Sequence, residues 1–246
     1  MNLTVRSLIH TFPGKPPRPA LQNINFEVPS GQFVAIVGPS GCGKSTLLRI
    51  IADLIRPTGG EIVLDGRTPT QAVADRRIAW MSQAPALMPW LNAQSNIAMA
   101  AHFLAEGQAR LSPVEALSRV GLVDSAKAYP FMLSGGMQQR LALARTLVLP
   151  ADLWLMDEPF ASLDELTRER LTGELLELWR AFQPTVLWVT HHLAEALRLA
   201  DRVLVFSPHP ARITADLPVR LPRPRNELSV DFVQALAALR KALADE

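Results

Sequence analysis

The chain has 246 residues, 48% of them hydrophobic, enough for one large domain or for a core that carries a subdomain. Its 25 Lys and Arg stand against 23 Asp and Glu, and the resulting net charge of +2 makes no case for a nucleic-acid partner. A single cysteine, Cys42, excludes an internal disulfide and a cysteine-based zinc framework, and it fits a reducing compartment.

No run reaches the roughly 18 apolar residues that a membrane span needs. MNLTVRSLIHTF is too short and interrupted for a signal-peptide core, so the expected location is the cytosol. A mean hydropathy of +0.13 is high for a soluble domain and suits docking on the cytosolic face of a membrane protein.

LTVRSLI and LQNINFEV alternate like half-buried strands, joined by the Pro-rich GKPPRP, and predict an antiparallel β layer. QFVAIVG is a continuous apolar run, as in a strand buried on both faces, and it passes through a glycine turn into the helical pattern STLLRIIADLI. Residues 38–46 of that turn, GPSGCGKST, have the G-x-x-x-x-G-K-[ST] spacing between a strand and a helix that cradles a phosphate chain. Gly38, Pro39, Ser40, Gly41, Cys42 and Gly43 form the loop; its glycines let successive N–H groups turn inward, beside the positive end of the helix dipole. Lys44 is placed to reach the β and γ phosphates, Ser45 to bind Mg²⁺, and Thr46 to donate to the α phosphate. Cys42 has two readings: a thiolate favoured by the anion-attracting loop, or a small side chain that fits.

Residues 86–149 show almost no strand pattern but much Ala and Leu at helical spacing, which predicts an α-helical subdomain inserted in the sheet domain. Within it LSGGMQQR places Ser134, Gly135 and Gly136 before a helix, a second N-terminus with bare N–H groups. One chain thus binds two nucleotides, or two chains meet head to tail so that each closes the other's site. ADLWLMD, TVLWVT and RVLVFS read as further buried strands of a parallel sheet, with an amphipathic helix over Glu165–Phe182. LWLMDEP, residues 153–159, is an apolar strand closed by the adjacent carboxylates Asp157 and Glu158, which point to opposite sides of the strand: one to hold the Mg²⁺ shell, the next to face an attacking water.

TVLWVTHH then sets His191 and His192 at a strand end. Neighbouring residues do not share one face of an element, which argues against a metal held by both. At the edge that carries the phosphate loop, one imidazole can reach the γ phosphate and orient water. A histidine at position 192 caps the following helix poorly and is expected to be neutral and dispensable. After Ser207 the sequence reads as a Pro-rich extended tail, then a short helix with Phe232, Leu236, Leu239 and Leu243 on one face.

The order and spacing of GPSGCGKST, LSGGMQQR, LWLMDEP and the Gln83 and His191 segments resemble the ATP-binding subunit of an ABC transporter over essentially the whole chain. The resemblance implies an α/β P-loop NTPase (RecA-like) core over 1–85 and 150–207, including the β layer, with the helical subdomain over 86–149 and the tail over 208–246. It implies ATP and Mg²⁺ as ligands and a head-to-tail dimer with a second ATPase subunit, in which Ser134, Gly135 and Gly136 meet the partner-bound γ phosphate. It makes Glu158 the general base, Asp157 a Mg²⁺ residue acting through water, and Gln83 a contact to Mg²⁺ or the attacking water. It makes His191 the switch histidine, Ser162, Leu163 and Asp164 the D-loop at the dimer interface, and Phe12 the aromatic that stacks on adenine.

The apolar loop Leu87, Met88, Pro89, Trp90 and Leu91 matches the region that receives a coupling helix of transmembrane permease subunits on the cytosolic face of the inner membrane. The Pro-Trp pair and the tail LPVRLPRPRN resemble importers for nitrate, sulfonates, taurine and bicarbonate, which work with a solute-binding protein. The tail departs from that pattern after Ser-Pro, where His209-Pro210-Ala211 stands in place of the usual Arg-Pro-Gly. A DNA-repair ABC ATPase needs a long inserted coiled coil and a translation factor needs two ATPase units. A small P-loop kinase has no use for LSGGMQQR, and an exporter usually fuses membrane helices.

Overall fold

The computed structural model describes residues 1–102, 104 and 108–244; residues 103 and 105–107 of the expected helical insertion and 245–246 of the tail lie outside the described residues. A three-stranded antiparallel sheet of β1 (Leu3–Phe12), β2 (Arg18–Val28) and β4 (Gly59–Leu64) stands beside a six-stranded sheet. The larger sheet runs β5 (Ile78–Met81), β6 (Leu153–Asp157), β7 (Thr185–Val189), β3 (Phe33–Val37), β8 (Arg202–Phe206), β9 (Ile213–Pro218).

The apolar runs have a direct physical reason. In β3, Val34 and Ile36 face a core shared with the small sheet and α1 (Lys44–Ile51), while Phe33, Ala35 and Val37 face a second core on the opposite side. β6 and β7 divide in the same way, with Trp154 and Trp188 on the second side and Leu155 and Leu187 on the first. A strand covered on both faces has no polar alternation to show.

Between β5 and β6 lie α3 (Ala93–His102), α4 (Pro113–Arg119) and α5 (Gly135–Leu147); α2 (Pro69–Ala74) precedes β5. α6 occupies Glu165–Phe182 as the periodicity predicts; Leu171, Leu175 and Leu178 are buried and Phe182 partly so. α7 (Leu193–Leu199) follows β7, and α8 (Val230–Ala244) buries Phe232 and Leu239, with Leu236 and Leu243 at its margin.

The sheet is not wholly parallel, and the tail is not merely extended: β9 pairs antiparallel to β8, from Arg202 opposite Pro218 to Phe206 opposite Ile213. An edge strand tolerates the flanking prolines and polar side chains that hide its pattern. Beyond it Arg223 pairs with Asp201 and lies over Trp179 at 4.6 Å, while Arg225 donates to Leu197 O at 2.5 Å and Ala200 O at 2.6 Å. These bonds satisfy carbonyls at the end of α7, and burial lowers the Arg225 pKa to about 10.

Candidate functional site

Parallel pairing aligns the strand ends. Met81 lies opposite Met156, Asp157 opposite Val189, and Ile36 opposite Val189 on the other side of β7. The residues that follow, Gln83, Glu158, His191 and the 38–46 loop, therefore leave the sheet along one carboxyl edge, where open α/β sheets bind ligands.

The loop is shaped by close approach. A Cβ on Gly43, at φ +123°, would stand 2.8 Å from Ala20 O, and one on Gly38 would stand 2.6 Å from Phe206 O, so only glycine fits either place. Lys44 Nζ folds back onto Gly38 O at 2.8 Å and Pro39 O at 2.7 Å. Ala211, where the family usually has glycine, is fully buried beside Gly43 and accepts from Gln22 N at 2.9 Å, so the departure is absorbed without loss of this contact. The same strand β2 brings the hairpin to the loop. Phe12, opposite Arg18 and 36% exposed, ends β1 there with its ring edge-on to His10 at 4.5 Å.

Cys42 does not match the reactive thiolate expectation. It is buried, and burial raises its pKa above the usual thiol value despite the opposing pull of Lys44. The small side chain simply packs under the loop.

Ser45 Oγ donates to Asp157 Oδ1 at 3.0 Å across the intervening β7. The other carboxylate oxygen of Asp157 is buried without a partner, and burial pushes its pKa up. Glu158 turns out of the strand at φ +49°, a left-handed conformation that costs about 1–2 kcal/mol for a non-glycine residue. Its N–H donates to Val189 O at 2.9 Å, and Gln139 Nε2 donates to its carbonyl at 3.4 Å, which hold the turn. Glu158 Oε2 then receives Gln83 Nε2 at 3.3 Å and lies 3.4 Å from His191 Nδ1. Three expected residues meet at one oxygen.

His192 takes the N-cap of α7 without a side-chain cap, its ring 4.4 Å from that of His191. Burial first, then His191 and Arg168, lower its pKa. Ser134 and Asp164 each cap a helix, accepting from Met137 N at 3.3 Å and Thr167 N at 2.9 Å. A Cβ on Gly136 would be 3.1 Å from Ser162 O, so the signature helix and the D-loop touch within one chain. Among the described residues no hydrogen bond joins residues 134–136 to the phosphate loop.

Trp90 is 68% exposed, while Leu87, Met88 and Leu91 are partly covered. Asn96, fully buried, accepts from Met88 N at 2.8 Å and donates to Leu91 O at 2.8 Å, which fixes this loop. Arg145 donates to Ala86 O at 2.7 Å and Pro85 O at 2.9 Å, tying α5 to the segment after Gln83. Gln139, Asn96 and Arg145 were not singled out by sequence reasoning; a polar residue inside an otherwise apolar helical stripe was the available signal.

A glycine phosphate loop between strand and helix, with an Asp-Glu pair at the same sheet edge, defines a P-loop NTPase. The sequence pattern described as ABC transporter matches residues 21–161, and the chain belongs to that family as an ABC-type ATPase of importer type. It is 44% identical to an aliphatic sulfonates import ATP-binding protein of Pseudomonas fluorescens, covering 91% of this chain and 79% of that one. It is 38% identical to a nitrate import ATP-binding protein of Synechococcus elongatus, covering 96% and 87%. An uncharacterized ABC transporter ATP-binding protein of Methanocaldococcus jannaschii is 43% identical, covering 92% and 85%. Among solved structures, the dimeric post-hydrolysis state of the ATP-binding cassette MJ0796 bound to ADP and Pi superposes with a TM-score of 0.80. It is 30% identical and covers 89% of this chain and 100% of that one.

Proposed function

We propose that two copies of the chain bind two ATP head to tail and hydrolyse them to drive import of a small oxyanion, a sulfonate or nitrate, through a permease. The observation that carries the ATPase part is the meeting of Gln83 and His191 on Glu158 Oε2 beside the phosphate loop. Phe12 stacks on adenine, Lys44 leaves the loop carbonyls for the β and γ phosphates, and Thr46 serves the α phosphate. Glu158 accepts the proton of the attacking water, Gln83 orients that water, and His191 donates to the γ phosphate.

The unpartnered Asp157 oxygen and the Ser45 hydroxyl are hard oxygen donors that fit Mg²⁺. These two residues, with Gln83 nearby, would hold Mg²⁺, which would supply positive charge to offset that of the nucleotide's phosphates.

Ser134, Gly135 and Gly136 cap the partner's γ phosphate, and the D-loop of Ser162, Leu163 and Asp164 crosses the interface. The Trp90 loop of the helical insertion over 86–149 receives a permease helix, which puts the chain on the cytosolic face of the membrane; a solute-binding protein supplies the solute. The import class is supported by the sulfonate and nitrate relatives. Reconstituted with its permease in liposomes, the complex is expected to hydrolyse ATP faster when a binding protein loaded with an alkanesulfonate or nitrate is added. Stimulation by an unrelated solute alone would overturn the class.

A further inference from the structure

Glu195 is a buried carboxyl that the reaction above does not use. It lies on α7, 6% exposed, and Oε1 accepts from the Trp188 indole Nε1 at 2.6 Å. The Thr190 hydroxyl, two residues further along the same segment as Trp188, accepts from His192 N at 3.0 Å and braces the turn that carries His191.

Its other oxygen faces Arg168 on α6. Oε2 and Arg168 Nε are both buried without hydrogen-bond partners and stand 4.0 Å apart. Arg168 meanwhile donates through Nη2 to Leu163 O at 2.9 Å. Trp188 makes a second connection, packing edge-on against Phe160, two residues after Glu158, at 4.9 Å. Burying two such groups is costly unless they pair, and a shift of about 1 Å would bring them into charge-assisted range.

We propose that Glu195 is a positioning residue that couples the D-loop, through Arg168 and Trp188, to the turn that aims His191 at the γ phosphate. The inference rests on the ATPase reading above. A change at the D-loop, where the second copy docks, is passed to Leu163, Arg168 and Glu195, and so to His191. Burial holds the Glu195 pKa above the usual carboxylate range.

The test is Glu195→Gln in the full chain. The amide keeps an acceptor for Trp188 but presents N–H to Arg168, which removes the D-loop arm alone. We expect kcat for ATP to fall about tenfold with KM within about twofold, the signature of misplacement rather than lost binding. On a His191→Ala background, single-turnover rates should show no further loss, because both changes act through one imidazole. Parental kcat in Glu195→Gln, or losses that multiply with His191→Ala, would overturn the proposal. If Glu158→Gln and His191→Ala also leave turnover intact, the ATPase reading falls with it; if they abolish turnover while Glu195→Gln does not, only this inference falls.

Discussion

At the scale of single residues, the strongest expectation concerns the carboxylate on which Gln83 and His191 converge. Replacing Glu158 by Gln removes the proton acceptor but keeps its shape, so kcat should drop by about 10²- to 10⁴-fold while ATP still binds. A steady-state rate near the parental value would remove Glu158 from its role. His191→Ala should cost about 10²-fold as a lost γ-phosphate donor. His192→Asp should be tolerated and should raise stability by about 0.5–1 kcal/mol, since His192 makes no side-chain cap and aspartate does.

The pH dependence of His192 has a definite sign. Its folded pKa lies below the ordinary 6.5, so around and below that value the unfolded chain binds more protons, and stability falls as pH falls. Denaturant midpoints between pH 7.5 and 5.5 should show a shallower fall in His192→Asp. Cys42 offers a further check. With its pKa raised by burial, the folded protein should react with iodoacetamide at pH 7.5 far more slowly than the unfolded chain. The anion-attracting loop was legible in GPSGCGKST. The burial that reverses its effect on the thiol was not, because it depends on packing brought from distant segments.

At the scale of elements, α5 and α6 followed from spacing, whereas β4, β5 and β9 did not. GGEIVL opens on two glycines, IAWM is only four residues long, and ITADLP is a polar edge strand; each gains its identity from the strand it pairs with. The Trp90 loop was visible as an apolar cluster, but the bonds that hold it were not, since they come from the buried Asn96 and from Arg145 on α5. Trp90→Ala should leave the ATPase rate of the isolated subunit unchanged and reduce solute uptake by the assembled transporter. Loss of folding instead would mean that the indole belongs to the core. In the tail, Arg225→Ala strands the carbonyls of Leu197 and Ala200 at the end of α7, and should cost about 2 kcal/mol in chemical denaturation without changing KM for ATP.

At the scale of the whole molecule, the central claim is that one chain holds two incomplete halves. Its phosphate loop and Glu158 lie at the sheet edge, while Ser134, capping α5, bonds its own helix. The two nucleotide-binding devices were legible in the sequence; how they combine was not, because that depends on a second copy. The decisive measurement is complementation between Lys44→Ala, which cannot hold phosphate, and Ser134→Arg, which cannot close a partner's site. Each should be inactive alone. Mixed in equal amounts, half of the dimers form one intact site from the Ser134→Arg loop and the Lys44→Ala signature, so activity should return to about a quarter of the parental rate. A mixture as inactive as its components, or a Ser134→Arg protein at full rate by itself, would contradict the account.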